Sequence, residues 1–145
     1  MRESGVWTYG LVNLTHILGV SSLFGSVLVL DLRLLGLWRG VPLDAMAGPL
    51  VRVAGAGLAV ALVSGAGLIT TNATEYQGNP FLPIKLAAVA LGLANVAVLS
   101  RLPAWTEKAE RPLTAREDRQ LAVSGGVSLV CWLVAVGAGR LIGYW

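Results

Sequence analysis

Leu50–Thr70 reads LVRVAGAGLAVALVSGAGLIT, and this stretch decides the fold. It is apolar apart from Arg52 near its start, Ser64 and the terminal Thr70. A helix needs ~20 predominantly apolar residues to cross the hydrocarbon core of a bilayer. Three further stretches meet that length, at Trp7–Leu37, Phe81–Leu102 and Leu121–Ile142. All four are continuous and rich in Leu, Ala, Val and Gly. A barrel strand would instead alternate apolar and polar residues over ~10 positions. Helices satisfy their own backbone hydrogen bonds in lipid, so these stretches predict helices. The expected fold is an all-α membrane protein: a single four-transmembrane-helix bundle spanning residues 1–145.

Composition supports this. Of 145 residues, 55% are hydrophobic and only 13% charged, and the mean hydropathy is +0.70. Soluble domains carry roughly 25% charged residues. Four spans leave only short connections, with no room for a second soluble domain. The net charge of +3 could point to nucleic acid, but the bases flank spans, and a membrane surface accounts for them. No nucleic-acid partner is expected. Cys131 is the only cysteine and falls inside the fourth stretch, where it reads as a small apolar side chain. The first stretch is too long for the apolar core of a cleaved signal peptide. Arginine outnumbers lysine, and the small apolar residues dominate, as in GC-rich bacterial genomes.

Charge sets the expected orientation. Arg33, Arg39 and Arg52 flank the first connection; Arg101, Lys108, Arg111, Arg116 and Arg119 flank the third. Arg2, Lys85 and Arg140 are the bases of the opposite side. By the positive-inside rule the first and third connections face the cytoplasm, so both termini lie on the outer face of a bacterial cytoplasmic membrane. Trp7, Tyr9, Tyr76, Phe81, Tyr144 and Trp145 would form an outer aromatic belt, with Trp38 and Trp105 at the inner one.

Local signals refine the elements. Gly19, Ser22 and Ser26 form a small-residue stripe on the first helix. The second helix carries Ala54-Gly55-Ala56-Gly57 and Ser64-Gly65-Ala66-Gly67, which predicts a central place in the bundle. Gly40–Pro49 reads as a connection with an interfacial turn at Leu43–Met46. Asn79 and Pro80 mark the start of the third helix. Thr114-Ala115-Arg116-Glu117 is a capping-box pattern that opens the fourth. Asn95 reads as an interhelical hydrogen bond. Asp31 and Arg33 read as a local charge pair at the inner interface.

Ionisable residues inside spans are costly and mark candidate sites. Here they are His16, Lys85 and Arg140, all in the outer half, with Asn13 and Tyr76 as polar neighbours. Two cofactors suit such a site. Haem b would take His16 as an axial ligand, with Lys85 and Arg140 on the propionates. A quinone would meet His16 and either Asn13 or Tyr76 at its carbonyls. A bound lipid is a third ligand of the same kind. His16 is the only histidine, so one chain does not supply a bis-histidine haem site, and Met46 lies on the opposite face. A plainer alternative has His16 bonding between helices while Lys85 and Arg140 reach headgroups. No metal-ligand spacing or nucleophile–base pair is present, so no catalytic activity of its own is expected.

Asn-Leu-Thr-His-Ile-Leu-Gly (13–19), Leu-Asp-Leu-Arg-Leu-Leu-Gly (30–36), Asn-Pro-Phe-Leu-Pro-Ile-Lys-Leu (79–86) and Gly-Arg-Leu-Ile-Gly-Tyr (139–144) carry a resemblance that covers most of the chain. Together they resemble a family of small bacterial four-helix membrane proteins of unknown function, and more distantly the membrane domain of copper-resistance D proteins. The resemblance implies the four-helix fold and no established activity. It places His16, Lys85 and Arg140 in recurring segments, and Ser100 where many relatives have a second histidine. The leading functional expectation is an accessory or anchor subunit of a larger membrane assembly, such as a redox or respiratory one. Its partners would be the lipid bilayer and other membrane subunits or further copies of the chain. A stand-alone haem or quinone protein and a small transporter are the alternatives.

Overall fold

The computed structural model of the chain describes residues 3–71 and 77–144, with side chains from Trp7 onward. Five helices follow in order: α1 (Glu3–Leu34), α2 (Leu43–Thr71), α3 (Phe81–Leu99), α4 (Pro103–Thr106) and α5 (Ala115–Ile142), with no strand among the described residues. Four of them, all but the short α4, are long and apolar enough to cross a membrane. The chain is a multi-pass membrane protein built as a four-helix bundle. The start of α1, the end of α2, the start of α3 and the end of α5 gather at one end, the terminal end. The connections 35–42 and 100–114, with their bases, lie at the other, the basic end.

Helix boundaries follow local chemistry. α1 stops three residues short of the expected Leu37 because Gly36 adopts φ 111. The Gly36 N–H then donates to Arg33 O (3.1 Å) and the Leu37 N–H to Leu32 O (3.0 Å), closing a Schellman cap. A side chain at position 36 would be strained in that left-handed conformation. Arg33 turns into the loop and donates through Nε to Val41 O (3.0 Å). α2 corrects the reading of 40–49 as a connection: the helix begins at Leu43 and runs through Pro49. Proline removes one backbone donor, but Leu43 and Ala47 are buried in the core at the basic end, and that packing outweighs the loss. α5 opens as expected. Thr114 Oγ1 accepts from the Glu117 N–H (3.3 Å), and Glu117 Oε2 accepts from the Thr114 N–H (2.8 Å). Arg111 forks onto the same Glu117 carboxylate at 2.7 and 3.0 Å. Its hydrogen bonds to Glu117, then to Glu107, hold the guanidinium above the ordinary arginine range.

The central helices are α1 and α5. α1 packs against α2 on one side and α5 on the other, and α3 packs on α5. This overturns the expected central place of α2. Its glycines divide between two faces: Gly57 meets α1, whereas Gly55 faces open space. The stripe on α1 divides likewise, with Gly19 and Ser26 buried and Ser22 exposed. Two apolar clusters join the helices. One, at the basic end, gathers Leu30, Leu34, Leu43, Ala47, Leu99, Ala104 and Leu121. The other, near the middle, gathers Leu23, Ala88, Trp132 and Ala135.

Candidate functional site

Each helix seam combines a glycine with a polar group that meets a serine. At the α1–α2 crossing, a Cβ on Gly19 would lie 2.8 Å from Ala61 N, and one on Gly57 would lie 2.7 Å from Gly19 O. One turn toward the terminal end, His16 Nδ1 contacts Ala61 O (3.0 Å) and Ser64 Oγ (3.2 Å). Along α3–α5, Asn95 Nδ2 donates to Ser124 O (3.0 Å) and Ser124 Oγ donates to Asn95 Oδ1 (3.2 Å). This is the interhelical bond expected of Asn95. Along α1–α5, Gly125 lets Leu34 approach, and the Asp31 carboxyl faces Ser128 one turn away. Without water in the hydrocarbon core, these polar groups find partners on neighbouring helices.

The His16 contact fixes its tautomer. Ala61 O only accepts, and the Ser64 hydroxyl donates its proton to Val60 O. Nδ1 must therefore carry the hydrogen and donate to both oxygens. In the neutral ring Nε2 is then the unprotonated nitrogen, and it makes no hydrogen bond among the described residues. A shallow apolar groove lined by Leu11, Val12, Thr15, Val60, Val63 and Ser64 runs beside the clasp.

The other expected site residues fall at different places. Lys85 is half-buried on α3, with its stem laid across Gly139 of α5: Nζ is 3.4 Å from where a Cβ of that glycine would be. Lys85 and His16 thus pack against different helices of the terminal half, Lys85 on α5 and His16 on α2. Arg140 is exposed at the end of α5, hydrogen-bonded to the Tyr144 hydroxyl and 4.3 Å above that ring. Asn13 is exposed on α1. Tyr76 lies outside the described residues. Asn79 Oδ1 accepts from the Phe81 N–H (2.9 Å), while its Nδ2 donates to Ile142 O (3.4 Å), tying α3 to α5.

Asp31 corrects the sequence reading. It is 3% exposed and faces α5 instead of pairing with Arg33, and its Oδ2 has no hydrogen-bond partner among the described residues. The guanidinium of Arg33 is occupied by the loop carbonyls of Val41 and Arg39. The signal was present: Val27, Asp31 and Leu34 share a face at helical spacing, and Val27 and Leu34 pack inward.

Replacing His16 by Ala is expected to leave membrane insertion intact. The lost clasp should lower stability by only about 0.6 kcal/mol, the typical value of an interhelical hydrogen bond in a membrane. Denaturation in mixed micelles measures it.

The residues thus define a four-helix membrane-spanning protein with polar clasps between helices, and with a histidine and a lysine at separate seams of its terminal half. No protein-family model, characterised protein or solved structure matches the chain.

Proposed function

We propose that the protein is a small accessory or anchor subunit of a larger assembly in a bacterial cytoplasmic membrane, with its basic connections in the cytoplasm and both termini outside. The observation that carries this reading is the unused face of α2. Gly48 and Gly55 look into open space, and Ala59 and Ala66 continue the same exposed face at spacings of four and seven. In lipid, burial of apolar surface does not drive helix association; close van der Waals packing at small residues does. The opposite face of α2, with Gly57, Ala61 and Ser64, already serves α1 that way. α2 thus presents two small-residue faces and uses one within the chain.

Gentle detergent purification followed by mass spectrometry of co-purifying subunits tests this. A defined partner, or a fixed multiple of the chain mass, is the expected result. The double substitution Gly55→Leu and Ala59→Leu should release that partner while the isolated chain stays folded. A monomer before and after substitution would count against the reading.

One observation favours a second reading, a stand-alone haem b or quinone protein. The His16 tautomer leaves an Nε2 lone pair in the terminal half, free to ligate iron or to accept a hydrogen bond from a quinol hydroxyl. The absorption spectrum and solvent extract of the purified protein decide it. A Soret band or extractable quinone that His16→Ala diminishes would support it, and absence of both removes it.

A further inference from the structure

The terminal half holds a cation with no counter-ion among the described residues. Lys85 makes no hydrogen bond or ion pair with any described residue. A lysine that meets only lipid extends its stem outward along its own helix toward the interface. Lys85 instead crosses to α5, where Nζ, Cε and Cδ lie 3.4, 3.5 and 3.6 Å from the Cβ position of Gly139. A larger residue at position 139 would fill this bed. Arg140, the next residue in sequence, is exposed and carries its guanidinium on Tyr144. The acidic residues with described side chains are Asp31, Asp44, Glu107, Glu110, Glu117 and Asp118, and none belongs to the terminal half.

Depth identifies the ligand. Lys85 is four residues into α3 from Phe81, which places it about 6 Å below the helix start. The headgroup layer on each side of the hydrocarbon core is roughly 5–7 Å thick. The flanking Ile84, Leu86 and Leu141 are exposed, so the site opens sideways to lipid. A zwitterionic headgroup would bring its own cation up to Lys85, whereas an anionic one would not. We propose that Lys85, bedded on Gly139, binds the phosphate of an anionic phospholipid from the leaflet at the terminal end. This site depends neither on the free face of α2 nor on His16.

The test uses the intact chain in mild detergent, with thermal unfolding and native mass spectrometry as readouts. Phosphatidylglycerol is expected to raise the unfolding temperature by about 5 °C and to remain bound, whereas phosphatidylcholine and inorganic phosphate do neither. Lys85→Gln should abolish the shift and Lys85→Arg should keep most of it. Gly139→Leu, which retains the lysine but fills its bed, should abolish it too. Arg101→Gln, at the basic end, should leave the shift unchanged. If Lys85→Gln does not purify, Gly139→Leu carries the comparison. An undiminished phosphatidylglycerol shift in the Lys85 and Gly139 variants would overturn the proposal. So would an equal shift with inorganic phosphate, or a shift lost equally in Arg101→Gln.

Discussion

Gly57→Leu is expected to separate α1 from α2 and to cost about 3 kcal/mol of stability. A Cβ at position 57 would lie 2.6 Å from Leu23 N and 2.7 Å from Gly19 O. Both are backbone atoms of α1 and have no rotamer through which to yield, so the helices themselves must move apart. The movement would also stretch the His16 contacts to Ala61 and Ser64 one turn away. Gly55→Leu is the matched control. It lies two residues earlier on the same helix but faces open space, and should change stability by less than about 0.5 kcal/mol. Reversible unfolding in mixed micelles compares the two. Similar losses in both variants would mean that the α1–α2 crossing is not a tight contact.

Trp132→Ala should have an effect of similar size, about 3 kcal/mol, by leaving a cavity where three helices meet. Trp132 is 4% exposed, packs with Leu23 of α1 and Ala88 of α3, and lies against Gly92, whose added Cβ would be 3.2 Å from the indole. The nature of the substitution matters. Trp132 Nε1 is buried with no hydrogen-bond partner among the described residues. Trp132→Phe therefore removes an unsatisfied donor along with some volume, and the two effects oppose each other. The phenylalanine variant should lose less than about 1 kcal/mol, so the alanine variant should be the weaker by a clear margin in the same unfolding assay. A phenylalanine variant as weak as the alanine one would show that the indole N–H contributes a bond of its own.

The two predictions differ in how far the sequence foretold them. The glycines of the second span were legible as contact residues, because small side chains in an apolar run have few other uses in lipid. Which of them touch a neighbour was not legible, since Gly55 and Gly57 sit in the same motif and face opposite ways. The Thr114–Glu117 capping box and the Asn95 bond between helices were legible because each depends on a polar residue with one obvious local or interhelical use. Asp31 was misread because Arg33, two residues away, offered a partner in sequence that the loop takes up in space. His16 and Lys85 were recognisable as costly intramembrane residues, but their beds on α2 and α5 were not. The serine and the glycine that receive them lie 48 and 54 residues away along the chain.

The sequence alone determined the number of spans, their helical nature and the sorting of basic residues to one end. Each of these follows from apolar length and charge, which are local properties of the chain. Only the tertiary structure decided which helices are central, which glycines lie in a seam and where the polar side chains point. Spanning helices are apolar on every side, so the lipid-facing and protein-facing residues carry nearly the same signal. Without a hydrophobic difference to sort the faces, close fit between distant backbones makes the choice, and that fit exists only in the folded bundle.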